Sequence, residues 1–105
     1  MSDTTHQAGG EEVILCDPNA AGGDITVTLP NTSANGKVYT IKNINAGTVP
    51  NDPGEKHVYV EANGAPNIIE LHGAGTFNTY DNISSSGNVV SWVYYDGYYR
   101  VISSG

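Results

Sequence analysis

Two side chains with metal-binding chemistry stand two positions apart in this chain, at Glu70 and His72. Residues two apart on a β-strand point from the same face, and a carboxylate and an imidazole can both bind divalent metals such as zinc. No further ligand follows at a spacing that would complete such a site. We therefore predict no bound metal, and a metal-dependent hydrolase using these two residues is the most distant functional alternative.

Other catalytic signatures are missing from the sequence. Cys16 is the single cysteine and ends the strand-like run of residues 13–16. No neighbouring base would activate its thiol, so we interpret it as a small buried hydrophobic side chain. The chain contains no Gly-x-Ser-x-Gly turn and no phosphate-binding loop. We predict that the protein is not an enzyme and uses no cofactor.

A β-hairpin is predicted near the C-terminus. The dipeptide at positions 96–97 is Asp-Gly, and it separates two β-prone runs, residues 89–95 and 98–102. Asp-Gly favours a type I′ turn because both central residues of that turn need positive φ. In the resulting register Tyr95 opposes Tyr98.

Both faces of this hairpin are apolar or aromatic. A sheet with one core normally alternates apolar and polar residues, so the second face should meet something other than water. One face carries Val90, Trp92, Tyr94, Tyr99 and Val101, and the other carries Val93, Tyr95, Tyr98, Arg100 and Ile102. We predict an interface with other protein chains, and its candidate residues are Val93, Tyr94, Tyr95, Tyr98, Tyr99, Arg100 and Ile102.

Tyrosine rings of this kind could also stack on sugar rings. A sugar site needs polar groups that converge beside the ring, and Arg100 is the only charged residue on these two strands. We therefore favour protein contact, with a glycan as the less favoured partner.

The rest of the chain supplies short β-strands. Val and Ile number 18 against 3 Leu, and β-branched side chains favour pleated strands over helices. Strands separated by turns rich in Gly, Pro and Asn are predicted over residues 12–16, 25–29, 37–44, 56–62, 67–71 and 76–80. Together with the hairpin they predict an all-β fold, a small antiparallel β-sandwich or barrel of about seven or eight short strands.

Composition and charge bound the organisation and the partners. Residues 1–11 are polar and without periodicity, which predicts a flexible, extended N-terminal arm before a single β domain of residues 12–105.

Apolar residues make up 38 % of the chain, and a domain with so few core residues gains stability from oligomerisation. The net charge of −7 argues against nucleic acid as a partner. No signal peptide or membrane-length apolar run is present, so we expect synthesis in the cytoplasm and no membrane partner.

The order of several motifs resembles a module of tailed-bacteriophage virion proteins, found in head fibres, capsid decoration proteins and the tips of tail fibres. The motifs read ITVTLP, GKVYTIKN, IELHGAG and DGYYRVIS, at residues 25–30, 36–43, 69–75 and 96–103. The family often has Trp soon after the Asp-Gly turn, where this chain has Tyr98 and Tyr99. The resemblance implies a small β-sandwich or β-tulip-like domain, usually trimeric, with a structural or adhesive role.

From this resemblance we expect a homotrimeric capsid decoration (cement) protein that binds the major capsid protein on the outer surface of a bacteriophage head and stabilises the head. The sequence has no heptad stalk and no collagen-like repeat, which favours a decoration protein over a fibre tip. A receptor-binding or glycan-binding tip domain of a phage fibre is the alternative.

Overall fold

The computed structural model describes residues 5–7, 13–30, 34–44, 56–64, 66–84 and 88–104, and the structural statements below concern these residues. They form ten strands and one helical turn, which confirms the predicted all-β class. In chain order the elements are β1 (Thr5–Gln7), β2 (Val13–Cys16), α1 (Pro18–Ala21), β3 (Ile25–Leu29), β4 (Val38–Asn43), β5 (Val58–Ala62), β6 (Ile69–Glu70), β7 (Phe77–Asn78), β8 (Tyr80–Ile83), β9 (Val89–Tyr95) and β10 (Tyr98–Ser104).

The strands form two mixed sheets. The four-stranded sheet has the order β1-β3-β5-β8, and the six-stranded sheet has the order β2-β4-β9-β10-β6-β7. The first five strands alternate between the sheets, so β1, β3 and β5 are parallel neighbours, and so are β2 and β4. The prediction of antiparallel pairing throughout is therefore wrong. Each of these parallel connections crosses through a strand of the opposite sheet, which returns the chain in its original direction.

The buried side chains of both sheets belong to one hydrophobic cluster. In β3, β5 and β9 every second residue is buried, as the two-residue period of a strand requires. Trp92, Tyr39 and Tyr99 are the largest fully buried side chains. Each such ring contributes about 1.5–3 kcal/mol by leaving water, so aromatic residues offset the small number of aliphatic ones.

A buried amide joins the two sheets at one end of the core. Asn43, on β4 of the six-stranded sheet, is fully buried. Its Nδ2 donates to the backbone oxygen of Ile83 on β8 at 3.0 Å and to that of Lys56 at 3.4 Å. These bonds satisfy a polar group that would otherwise cost about 1–3 kcal/mol to bury.

One segment near the N-terminus differs from the expectation. Thr5–Gln7 lies within the predicted flexible arm, yet it pairs in parallel with β3. Such pairing uses backbone groups and needs no apolar side chains. The other residues of 1–11 lie outside the described residues, so the arm stays a prediction there, as does the total number of strands.

The turn predicted after β2 is one turn of helix. Pro18 occupies its first position, where a missing N–H costs nothing, and the N–H of Ala21 donates to the backbone oxygen of Asp17 at 3.0 Å. Among the described residues there is no helix with the length and apolarity that a membrane span requires.

Candidate functional site

The C-terminal hairpin has the predicted turn and register. Asp96 and Gly97 both have positive φ, 53° and 89°, as a type I′ turn demands. Tyr98 pairs with Tyr95, and the next positions continue in register as far as Val101. A register shift between Val101 and Ser103 then interrupts the ladder. The two strands therefore present alternate residues to opposite faces, and the hairpin lies inside the six-stranded sheet between β4 and β6.

One face of the hairpin is exposed, although its side chains are large and mostly apolar. Tyr95 is 56 % exposed, Tyr98 is 39 % exposed and Ile102 is 58 % exposed. Val93 and Arg100 are half-buried on the same face. These five residues stay candidates for a protein interface.

Two of the seven candidates must be removed. Tyr94 is 7 % exposed and Tyr99 is fully buried, so neither offers a partner enough surface to contact. Their rings meet edge to face at 4.9 Å, and the Tyr99 hydroxyl donates to the backbone oxygen of Pro30 at 2.6 Å. Including them was wrong because the hairpin face on which they lie is the one that packs into the core.

Phe77, which the sequence analysis did not select, belongs to the exposed face. Its ring lies 4.7 Å from that of Tyr98, and the Arg100 guanidinium lies over both rings, 5.7 Å from Phe77 and 5.4 Å from Tyr98. The Arg100 Nε also donates to the backbone oxygen of Tyr95 at 3.3 Å, which fixes the side chain along the sheet. This aromatic-arginine cluster (Phe77, Tyr98 and Arg100) has the composition of an interface hot spot.

The same face continues across the six-stranded sheet. Thr40 and Ser91 are paired at its centre, and their hydroxyls share a hydrogen bond of 2.8 Å. Exposed or half-buried aliphatic side chains flank this pair: Val13, Leu15, Val38, Val89 and Val93. We call this surface, with the aromatic-arginine cluster and Tyr95, the outer face of the six-stranded sheet.

Charge has one sign along four adjacent strands of this sheet. β2, β4, β9 and β10 contain no acidic residue, and their only charged side chains are Lys42 and Arg100. The whole chain carries a net charge of −7. The other two strands add one acidic residue, Glu70 on β6, so the outer face of the six-stranded sheet is still distinctly less acidic than the whole chain.

Glu70 and His72 each have a different hydrogen-bond partner within the chain. Glu70 Oε1 accepts a hydrogen bond of 2.6 Å from the Val101 N–H, while the His72 Nδ1 lies 2.6 Å from Oδ2 of the buried Asp81. The His72 backbone N–H also donates to that oxygen, at 3.0 Å. Asp81 thus ties the loop after β6 to β8, and each of the two suspected ligands has a structural partner within the chain.

The single cysteine lies in the core. Cys16 is fully buried, as the sequence predicted, and desolvation raises the pKa of its thiol to about 11. The thiol is therefore protonated at neutral pH and closed off from solvent, as expected of a side chain that only fills the core. In the part of the chain that the structure describes, no three His, Cys, Asp or Glu side chains form a group able to hold a metal ion.

No family model, curated protein or solved structure matches this chain. The function of the chain must therefore be inferred from its residues, from their geometry and from the order of motifs in the sequence.

Proposed function

We propose that this chain is a structural virion protein, a homotrimeric decoration protein that binds the outside of a tailed-bacteriophage head. The copies would contact one another, and the shell, through the outer face of the six-stranded sheet. One observation carries the proposal: this face exposes aromatic and aliphatic side chains, and among the described strands that form it Glu70 is the only acidic residue. We further interpret the two sheets as the layers of a β-sandwich, with this face on its outside.

The composition of the aromatic-arginine cluster supports protein contact. Aromatic residues and Arg are enriched at protein interfaces because they cover large areas with few rotatable bonds. Phe77, Tyr98 and Arg100 already contact one another within the chain. Little side-chain entropy would be lost when a partner covers them, which favours association.

Electrostatic repulsion between copies favours this face as the surface through which they associate. Copies of a chain with a net charge of −7 repel one another over a distance of about 10 Å at ordinary salt. The repulsion is smallest at the six-stranded sheet, whose strands carry Lys42 and Arg100 against one acidic residue, Glu70. Self-association through this face therefore keeps the acidic residues of neighbouring copies farther apart than association through a more acidic surface would.

The size of the face can be compared with that of a specific contact. Six strands about 4.8 Å apart, with the longest seven residues long, cover at most roughly 550 Å² in projection. A stable interface buries about 800 Å² of accessible surface on each partner, and the accessible area of a sheet exceeds its projection because side chains roughen it. An interface of that size would therefore also include the rim of the face.

Head stabilisation would then follow from mass action. A protein that binds the assembled shell, and not its dissociated parts, shifts the equilibrium toward the shell. Three copies held together bind with greater avidity than one, without any new kind of contact.

Light scattering coupled to size-exclusion chromatography tests the association. We expect a particle of three times the chain mass, and we expect Tyr98→Asp to yield monomers because it places a carboxylate in the aromatic-arginine cluster. The matched control is Tyr80→Asp, which changes an exposed tyrosine of the four-stranded sheet and should leave the trimer intact. A wild-type monomer at all concentrations would refute the proposal.

Immunogold labelling of tailed-phage particles that contain the chain tests its location. Gold is expected on the head, where the copies would be distributed over the shell. Gold confined to the tail fibres would instead favour the fibre-tip alternative.

A further inference from the structure

The tripeptide Ala-Asn-Gly occurs twice in the chain, at residues 34–36 and 62–64, and no other asparagine is followed by glycine. An asparagine before glycine readily loses its side-chain amide, because glycine has no side chain to keep its backbone nitrogen away from the neighbouring amide carbon. Since the two tripeptides are identical, a difference between their reactivities in the folded chain must come from the structure around them.

The first tripeptide is held against the C-terminal hairpin by two hydrogen bonds. Asn35 Oδ1 accepts the Asp96 N–H at 3.0 Å, and the Gly36 N–H donates to the backbone oxygen of Tyr94 at 2.8 Å. The first bond fixes the direction of the side-chain amide, and the second occupies the backbone nitrogen that would attack it. Both bonds oppose the rearrangement that the reaction requires.

The second tripeptide begins at the last residue of β5 and has neither of these restraints. The Asn63 N–H donates to the backbone oxygen of Leu29 at 2.8 Å, which fixes the main chain but not the side chain. Within the described part of the chain, neither the Asn63 side-chain amide nor the Gly64 N–H has a hydrogen-bond partner. Asn35 and Asn63 are both exposed, so hydrogen bonding and not exposure distinguishes them.

A cleft beside the second tripeptide gives the reaction room. The volume of the cleft is about 350 Å³, and its lining residues are Glu61, Ala62, Asn63, Gly64, Pro66 and Thr79. Beyond the adjoining residues, no atom lies within 4 Å of the position that a β-carbon would occupy on Gly64. Water therefore has access both to the Asn63 amide and to the Gly64 nitrogen.

We propose that Asn63 is a site of spontaneous deamidation, at which the folded chain converts this asparagine into aspartate and isoaspartate. The Gly64 nitrogen gives its proton to a base in the solvent, and its lone pair attacks Cγ of Asn63. The bond between Cγ and Nδ2 then breaks, and Nδ2 takes up a proton and leaves as ammonia, which leaves a five-membered succinimide ring.

Water completes the reaction by opening the succinimide ring. Attack of water at Cγ breaks the new bond to the Gly64 nitrogen and gives aspartate. Attack at the backbone carbonyl carbon of Asn63 breaks the original peptide bond instead and gives isoaspartate, whose main chain runs through the former side chain. Each conversion consumes one water and releases one ammonia, and no group is oxidised or reduced.

The modification changes both the charge and the main chain at this turn. Either product adds a carboxylate to the cleft that Glu61 lines, and one further negative charge to a chain whose net charge is −7. Isoaspartate also lengthens the main chain between β5 and β6 by one carbon atom. The site lies on the turn after β5 and does not depend on the proposed function.

Peptide mapping of the native chain, aged in warm, mildly alkaline buffer, tests the site. Digestion at acidic pH prevents further reaction, and mass spectrometry with electron-transfer fragmentation distinguishes asparagine, aspartate and isoaspartate at each position. Asn63 should convert at least about tenfold faster than Asn35, whose two hydrogen bonds must be broken first. In urea, which removes the folded environment, the two identical tripeptides should convert at similar rates.

Two variants form a matched pair for the same measurement. Glutamine reacts far more slowly than asparagine because its longer side chain must close a six-membered ring. Asn63→Gln should therefore abolish most of the acidic species that ion-exchange chromatography separates from the aged native chain. Asn35→Gln should leave the amount of that species unchanged.

Two outcomes would overturn the deamidation site. One is conversion at Asn63 no faster than at Asn35 in the folded chain. The other is an intact Asn63 after a period in which the chain in urea has converted at both positions. Neither result would bear on the trimer, because light scattering measures its mass and tests it through Tyr98.

Discussion

The two faces of the six-stranded sheet are built from alternate residues of the same strands, and both are rich in aromatic rings. On the inner face Trp92 Nε1 donates to the backbone oxygen of Glu70 at 2.9 Å, and the Tyr99 hydroxyl donates to that of Pro30. On the outer face Tyr95 and Tyr98 remain exposed. Aromatic content alone therefore does not show whether a face stabilises the fold or binds a partner. An aromatic residue stabilises the fold when the fold covers its ring and provides a hydrogen-bond partner for its polar atom.

The largest difference between the faces should follow from Trp92→Ala. This substitution opens a cavity in the core and removes a hydrogen bond, so we expect the free energy of unfolding to fall by about 3–5 kcal/mol. Tyr95→Ala, on the outer face, should change it by less than about 0.5 kcal/mol. Urea denaturation followed by fluorescence of the tyrosines measures both variants. A similar loss from the two substitutions would show that the faces are not distinct.

Alkaline pH should act on the inner face through Cys16, whose neighbour Leu15 points outward. Burial raises the thiol pKa from 9.0 to about 11, so the folded state favours the neutral thiol. This contribution is complete below pH 9 and disappears as the pH rises through 11, which amounts to roughly 2–3 kcal/mol. Urea denaturation between pH 8 and 11 should show a steeper decline for the wild-type chain than for Cys16→Ala. Parallel curves would contradict the assignment.

Removing a single hydroxyl provides a finer test, because Tyr98 and Tyr99 are adjacent and face opposite ways. Tyr99→Phe leaves the backbone oxygen of Pro30 without its 2.6 Å hydrogen bond inside the protein, which should cost about 1–3 kcal/mol. Tyr98→Phe should cost almost nothing. Thermal unfolding of the two variants, compared at the same concentration, measures the difference, and a larger effect at Tyr98 would reverse the assignment of the faces.

A small effect on stability is expected at Arg100. Its guanidinium lies over the rings of Phe77 and Tyr98 at an exposed site, where such contacts contribute about 0.5–1 kcal/mol. Arg100→Ala should remove this contribution, and Arg100→Lys should keep part of it. Urea denaturation measures this loss, and a low protein concentration prevents association from contributing to it. An effect above that of Tyr99→Phe would mean that the outer face serves the fold.

Local patterns predicted the strands and the hairpin well. The Asp-Gly dipeptide determined the turn, and the positions of Tyr95 and Tyr98 followed from it. Alternation identified β3 with its observed bounds, because its polar positions are all Thr and its apolar positions are all buried. Residues 76–80 were less clear, since the predicted strand is divided between β7 and β8, which belong to different sheets.

Long-range features were beyond such patterns. Alternation shows that a strand has two faces, but it does not show which face is covered, so Tyr94 and Tyr99 were placed in the interface. It also carries no information on strand direction, and the parallel pairs were missed. Phe77 joins the aromatic-arginine cluster only because β7 pairs with β6 beside β10, and no nearby residue signals that arrangement.

The alternation of the first five strands between the sheets has a kinetic consequence. Neither sheet is formed by a continuous stretch of chain, so one sheet cannot unfold without disrupting the strands of the other. Melting should be all-or-none, with optical and hydrogen-exchange probes giving the same midpoint. Because parallel neighbours are far apart in the sequence, their pairing is slow, and refolding is expected on a timescale of milliseconds to seconds.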